Sequence, residues 1–156
     1  MQYLILVNPE KCTGCRSCEL ACSLYQEKEC NPEKSRIKAV KSIKEGLIFS
    51  VPVVCQQCED APCAKFCPAK ALSRNTETDA VEVDQDKCIS CNFCVMVCPF
   101  GGIRVDAEKG YSVKCELCKG DPQCVKFCAT DAIQYVRSDK IDIAKKREGI
   151  QKYLEE

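Results

Sequence analysis

Short apolar segments rich in β-branched residues recur along the chain, and each lies just before or just after a group of cysteines. They cover residues 3–7, 47–54, 80–83, 103–105 and 133–136. Segments of this length and composition predict short strands rather than helices. Residues 31–46 are polar and rich in basic side chains, which predicts an insertion loop.

Helical spacing is found in two kinds of segment. Each cysteine group ends in two cysteines four positions apart, about one helical turn, and residues 19–28 could extend such a turn after the first group. Four apolar residues of the tail 139–156 can share one helical face, namely Ile143, Ile150, Tyr153 and Leu154. The tail therefore predicts a C-terminal helix, which either closes the protein's own core or docks on a partner.

Composition changes this picture because cysteine replaces much of the usual apolar core. The chain has 17 cysteines among 156 residues, no Trp and only 6% aromatic residues. A chain with so few large side chains needs disulfides or metal to hold its fold. Residues 1–9 lack the features of a secretory leader, so we expect a cytoplasmic chain whose reduced cysteines bind metal. His is absent, which argues against mixed Cys/His zinc sites and imidazole catalysis.

The charge and hydropathy patterns each argue against one class of partner. The 23 basic and 23 acidic residues balance to a net charge of +0 without a long run of one sign, so we expect no nucleic-acid binding. No stretch approaches the roughly 18 apolar residues of a membrane-spanning helix. We therefore expect no direct membrane insertion.

Sixteen of the cysteines form four groups of four, and Cys30 stands outside them. The groups, in chain order, are Cys12, Cys15, Cys18 and Cys22; Cys55, Cys58, Cys63 and Cys67; Cys88, Cys91, Cys94 and Cys98; and Cys115, Cys118, Cys124 and Cys128. The first and third groups share the spacing CxxCxxCxxxC, and the other two have a wider central gap. We interpret Cys30 as a small, partly buried loop residue, since no second unmatched cysteine exists to partner it.

The sequence around the groups repeats as well. VNPEKC before group one matches VDQDKC before group three, and DAPCAKFCPAKAL in group two matches DPQCVKFCATDAI in group four. The chain is therefore interpreted as a duplicated half of about seventy residues. Convergence on one ligand geometry could mimic part of this likeness, but not the shared KFC and DxxC context.

The CxxCxxCxxxC spacing is typical of 4Fe-4S clusters, and in two-cluster ferredoxins the last cysteine of each run ligates the other cluster. Zinc ribbons need CxxC pairs separated by a spacer, a layout that these groups lack. Pro68 and Pro99 follow groups two and three, as in ferredoxins, which favours pairing these two groups with each other. Pairing in chain order, one with two and three with four, stays open on spacing alone.

From residue 3 to about residue 136, the chain resembles the four-cluster ferredoxin-like subunits of modular oxidoreductases. These include the beta subunits of formate dehydrogenase and dimethyl sulfoxide reductase and the ferredoxins linked to hydrogenase and carbon monoxide dehydrogenase. KCELCKGDPQCVKFCATDAI, residues 114–133, also resembles the small subunits of tungsten aldehyde oxidoreductases and benzoyl-CoA reductases. The resemblance implies an α+β fold of two bacterial-ferredoxin-like modules, each with two 4Fe-4S clusters, built from short strands and short helices.

The resemblance also implies that group one interlocks with group four and group two with group three. Four ligand sets follow, which we name site 1 (Cys12, Cys15, Cys18 and Cys128), site 2 (Cys22, Cys115, Cys118 and Cys124), site 3 (Cys55, Cys58, Cys63 and Cys98) and site 4 (Cys67, Cys88, Cys91 and Cys94). The outer module would then comprise residues 1–30 plus 107–156 and the inner module residues 47–106. The insertion 31–46 would separate them.

The function expected on these grounds is transfer of single electrons along four 4Fe-4S clusters. The expected partners are a larger catalytic oxidoreductase subunit, with a tungsten or molybdenum pterin, and a ferredoxin or other redox carrier. We expect no catalytic residues, because each group supplies four thiolates and leaves no iron open to substrate. The alternative is a freely diffusing polyferredoxin, or the ferredoxin partner of carbon monoxide dehydrogenase or hydrogenase.

Overall fold

The computed structural model describes residues 2–44 and 46–138, and within these ranges the chain is a small mixed α+β protein. The strands are β1 (Tyr3–Val7), β2 (Ile37–Lys44), β3 (Leu47–Val54), β4 (Leu72–Arg74), β5 (Val81–Val83), β6 (Ile103–Asp106), β7 (Tyr111–Lys114) and β8 (Ile133–Arg137). The helices are α1 (Ser17–Glu27), α2 (Pro62–Lys65), α3 (Phe93–Met96) and α4 (Gln123–Lys126). The last three are single turns that begin or lie inside the cysteine groups.

The described strands pair as four two-stranded antiparallel sheets, β1 with β8, β2 with β3, β4 with β5, and β6 with β7. The β1–β8 sheet joins the two ends of the described chain, with Ile5 opposite Tyr135. The rings of Tyr3 and Tyr135 stack on it with centroids 4.8 Å apart. This pairing brings cysteine group one next to group four. Since a lone two-stranded sheet is only marginally stable, each of these sheets depends on its packing partners.

The buried core is thin and contains cysteines, as the composition predicted. One apolar cluster surrounds Ile5, Ile37, Leu117 and Ile133, all at most 1% exposed, and it includes four cysteines of groups one and four. A second cluster joins residues of β4, β5 and β6 to cysteines of groups two and three. The first cluster thus contains cysteines of groups one and four, with Cys55 of group two packed against it, and the second contains cysteines of groups two and three.

The expectation of a loop over residues 31–46 was wrong for its second half. Residues 37–44 form β2, which pairs along its full length with β3. Ile37 lies opposite Val54, and both are 1% exposed, so the start of β2 packs into the apolar core, whereas Val40 and Ile43 further along the strand are exposed. Lysines at positions 38, 41 and 44 had made the segment look polar overall.

Helix α1 agrees with the helix expected over residues 19–28. It begins after Arg16 and ends before Lys28, and both flanking residues have a left-handed backbone, with φ of 64° and 58°. The C-terminal helix expected over residues 139–156 lies outside the described residues. In the described ranges, no helix has the length and apolar character needed to cross a membrane.

Candidate metal centres

Three cavities each have four cysteines in their walls, three from one group and one from another. The cavity of site 1 has a volume of about 330 Å³ and is lined by Cys12, Cys15, Cys18 and Cys128. The cavity of site 2 has about 310 Å³ and is lined by Cys22, Cys115, Cys118 and Cys124. The cavity of site 3 has about 370 Å³ and is lined by Cys55, Cys58, Cys63 and Cys98. These volumes include space open to solvent.

Two cysteines of site 4, Cys88 and Cys94, lie beside Ser112 of the β6–β7 sheet. The Sγ atoms of Cys94 and Cys88 are 3.2 and 3.7 Å from the hydroxyl oxygen of Ser112 on β7. Cys67 packs against the same apolar cluster as Cys94, whereas Cys91 is exposed. Cys30 is also exposed, so its expected partial burial was wrong.

A left-handed residue precedes the second cysteine of every group. It is Gly14 (φ 68°), Gln57 (φ 48°), Ser90 (φ 55°) and Leu117 (φ 59°) in groups one to four. Left-handed residues within such turns gather successive N–H groups into concavities that bind anions, including iron-sulfur sites. Only one of the four residues is glycine, so the other three adopt a conformation that costs energy unless the surroundings hold it.

Backbone N–H groups also donate to the last cysteine of a group. In groups two and three the donor lies four residues further on, and the pairs are Ala71 with Cys67 at 3.3 Å and Gly102 with Cys98 at 3.4 Å. Helix α1 continues through that position in group one. Cys22 therefore accepts instead from the backbone N–H of Arg36, at 3.3 Å, in the segment that leads into β2.

Burial makes the thiol form favourable at several of these cysteines. It raises the pKa of Cys115 to about 12 and the pKa of Cys18 to about 11. The pKa of Cys124 is also raised, by burial first and then by the neighbouring Cys115 and Cys22. Thiolates so confined need a cationic group between them, and binding such a group releases protons.

The approach of the chain to site 3 requires a glycine at position 102. A Cβ atom there would lie 2.7 Å from the Cα atom of Cys55 and 3.0 Å from its backbone nitrogen. Because this Cβ atom would contact backbone atoms of Cys55, no side-chain rotation could relieve the contact. Gly102 therefore lets β6 begin directly against the first cysteine of group two.

These observations fit the 4Fe-4S cluster. Groups of four thiols surround cavities, and N–H groups point at their sulfurs. A mixed α+β chain with such sites defines an iron-sulfur protein of the ferredoxin class.

Comparison with known protein families identifies the family within this class. Residues 47–138 match the 4Fe-4S dicluster domain, and residues 3–24 match a 4Fe-4S binding domain. The chain belongs to the 4Fe-4S dicluster domain family.

The relatives are electron-transfer proteins. The chain is 48% identical over 124 residues to the polyferredoxin-like subunit of aliphatic sulfonate oxidoreductase from Pyrococcus furiosus, covering 80% of this chain and 70% of that one. It is 36% identical over 167 residues to the electron transport protein HydN of Escherichia coli, covering 91% and 92%. Among solved structures, the active site complex BamBC of benzoyl coenzyme A reductase, as isolated, contains a chain with a TM-score of 0.51 and 25% identity, covering 98% of this chain and 87% of that one.

The chain is therefore an electron-transfer protein that carries four 4Fe-4S clusters and resembles subunits of oxidoreductases. The predicted class, cofactor and function are confirmed by these relatives. Its role is that of a non-catalytic electron carrier.

Proposed function

We propose that the chain conducts single electrons through sites 1, 2, 3 and 4, in that order or its reverse, between a catalytic subunit and a second redox carrier. Each 4Fe-4S cluster, when bound, exchanges electrons at a potential set by charge, hydrogen bonds and solvent exposure, within about −700 to +450 mV. The observation that carries this proposal is the set of three cavities, each lined by three cysteines of one group and one cysteine of another.

The proposed ligand sets are the four named from the resemblance. The cavities support sites 1, 2 and 3 directly, since each combines the cysteines of one set. Site 4 is supported by the shared contact of Cys88 and Cys94 with Ser112 and by the packing of Cys67 beside them. The protein's own part is to supply thiolates, to donate N–H groups to their sulfurs and to limit water.

We propose the outer and inner modules with the boundaries expected from the sequence. Pairing of β1 with β8 supports an outer module built from both chain ends. The inner module is supported by the β4–β5 sheet, which links groups two and three. Strand β3 belongs to the inner module, and its hairpin partner β2 contacts the outer module, where the backbone N–H of Ala39 donates to Glu19 on α1 at 2.7 Å.

The exposure of their cysteines supports entry and exit of electrons at sites 1 and 4, the two ends of the proposed path. All four cysteines of site 2 are buried, whereas site 1 includes the exposed Cys15 and site 4 the exposed Cys91. Electron transfer between proteins needs a cluster close to the surface. Sites 1 and 4 therefore face partners, and sites 2 and 3 relay between them.

The proposed catalytic partner is a larger oxidoreductase subunit with a tungsten or molybdenum pterin, in the cytoplasm, with a ferredoxin or similar protein at the other end. Support comes from the relative that is itself a subunit of aliphatic sulfonate oxidoreductase. A freely diffusing carrier is the second candidate, because HydN is named simply an electron transport protein and matches over nearly its full length. Size-exclusion chromatography of untagged native protein separates the two, since a subunit co-elutes with a larger chain and a free carrier elutes alone.

Three cysteine variants test the ligand sets in anaerobically purified protein. Cys22→Ser and Cys118→Ser should abolish the same EPR signal, whereas Cys15→Ser should abolish a different one. Iron should fall from about sixteen to about twelve atoms per chain in each variant. Cys30→Ser is the control and should keep about sixteen. If Cys22→Ser and Cys15→Ser remove the same signal, each group closes on itself and the interlocked sets are wrong.

A further inference from the structure

Lys114 is a buried cation at the end of β7, directly before Cys115. Lys114 is only 3% exposed. Its ammonium nitrogen donates to the carbonyl oxygen of Cys115 at 2.9 Å, to Oε1 of Gln57 at 3.5 Å and to the carbonyl oxygen of Val81. Three acceptors and no donor surround it, and only the protonated side chain has three N–H groups to give. The three oxygens thus form a binding site for an ammonium group.

The charge of Lys114 has no carboxylate partner among the ion pairs of residues 2–44 and 46–138. Buried lysines are rare unless paired, because an isolated charge is costly in a medium of low dielectric constant. Lys114 does line the cavity of site 3. The groups available to balance it are therefore the thiolates of the cluster sites.

Lys114 lies beside both of the inner sites. It lines the cavity of site 3, whose ligands include Cys58 and Cys63. Its ammonium nitrogen also donates to the carbonyl oxygen of Cys115, a ligand of site 2. The charge of Lys114 is therefore close to both sites.

Gln57 fixes the ammonium at the junction of the two sites. It is fully buried, and it lies between the first two cysteines of group two. Its side chain donates to the carbonyl oxygen of Cys115 at 2.8 Å and accepts from the backbone N–H of Val81 at 2.9 Å. The loop of site 3, strand β5 and the first cysteine of group four are held together around Lys114.

We propose that Lys114 raises the reduction potentials of the clusters in sites 2 and 3 and so sets the central step of the electron path. Reduction adds negative charge to a cluster, and a fixed cation in a poorly screened interior favours the reduced form. This inference rests on the ligand sets of the proposed function. Lys114 thus acts on the clusters through its charge, in addition to holding the loops together through its hydrogen bonds.

Redox titration of the anaerobic full-length protein, followed by EPR, tests the charge separately from the hydrogen bonds. Lys114→Gln keeps a hydrogen-bond donor but removes the charge. It should lower the equilibrium constant for reduction of two of the four clusters at least tenfold. That factor corresponds to a shift of about 59 mV to lower potential for a one-electron couple. Lys114→Arg keeps the charge and should leave all four potentials close to wild type.

The matched control is Lys65→Met, which removes an exposed ammonium beside group two. The side chain of Lys65 is 59% exposed and pairs with Asp60. Water screens such a charge, so all four potentials should stay unchanged. Gln57→Glu is a second route to the same result, because it places a carboxylate on the ammonium of Lys114 and should lower the potentials of the same two clusters.

Iron analysis accompanies every titration, so that failure of the ligand sets is distinguished from failure of this inference. The cysteine variants described above test the ligand sets, and their result does not depend on the potentials measured for the Lys114 variants. The role of Lys114 is refuted if Lys114→Gln holds about sixteen iron atoms with unshifted potentials, or if the Gln and Arg variants shift them equally. Should Lys114→Gln fail to assemble, an unshifted Gln57→Glu protein refutes it.

Discussion

Gly102→Ala should selectively destabilise the cluster of site 3. The added methyl group would lie 2.7 Å from the Cα atom of Cys55, 3.0 Å from its nitrogen and 3.1 Å from its Cβ atom, whereas ordinary contacts begin at 3.4 Å. Either β6 or the loop of group two must move. Either movement disturbs site 3, because Cys55 is one of its ligands and the N–H of Gly102 donates to another, Cys98.

The magnitude follows from the cost of overpacking, about 1–3 kcal/mol where the neighbouring atoms cannot rotate away. A free-energy change of this size corresponds to about a 5- to 150-fold change in an equilibrium. We therefore expect one of the four clusters to be lost to an iron chelator about 5- to 150-fold faster than in wild-type protein. The other three clusters should be lost at the wild-type rate.

The assay follows visible absorbance and EPR of anaerobic protein after addition of the chelator. Gly101→Ala is the control at the neighbouring position, where an added methyl group meets nothing within 4 Å but the backbone is left-handed, with φ of 60°. It should cost about 1 kcal/mol of backbone strain without singling out one cluster. Equal cluster loss in both variants, or four stable clusters in Gly102→Ala, would refute the steric argument.

Three further predictions concern other parts of the molecule. Removal of iron by a chelator should abolish cooperative thermal unfolding measured by circular dichroism, because cluster binding supplies much of the folding free energy; an apo protein with a cooperative transition contradicts this. Glu19→Ala should lower the free energy of unfolding by about 2 kcal/mol, because Glu19 is 1% exposed and accepts hydrogen bonds from Ala39 and Arg16. The measurement is the midpoint of thermal unfolding, which should fall. Glu29→Ala removes only an exposed ion pair and should change that midpoint little. Ser112→Ala should lower the potential of one cluster in an EPR titration, because the hydroxyl lies near two thiols of site 4; an unchanged set of four potentials contradicts this.

Several structural elements could be predicted because they depend on local pattern. The apolar segments at residues 3–7, 47–54 and 133–136 form strands, and the helix after group one forms as expected. Strand β2 was missed because its three lysines made the segment look polar, and the burial of Ile37 becomes evident only when β3 pairs with β2. Strand β7 was also missed, since four residues ending in a lysine do not look like a buried strand.

The special backbone of the cysteine loops could be predicted only in part. Gly14 signals a left-handed residue by its type, but Gln57 and Leu117 adopt the same conformation with ordinary side chains. Both are fully buried, and surrounding contacts offset the conformational cost. Their recurring position before the second cysteine is a signal that could have been read from the repeat.

The sequence by itself determined the cofactor and the class of protein, because the pattern typical of cluster ligation consists of cysteines with only two to five residues between them. Such spacing is a property of the local chain and survives without knowledge of the fold. Tertiary structure decided which distant cysteine lines each cavity; for sites 1 and 2 this depends on the pairing of β1 with β8, which lie far apart in the sequence. It also decided that Lys114, Gln57 and Glu19 are buried, because burial of a polar side chain is set by neighbours far away in sequence.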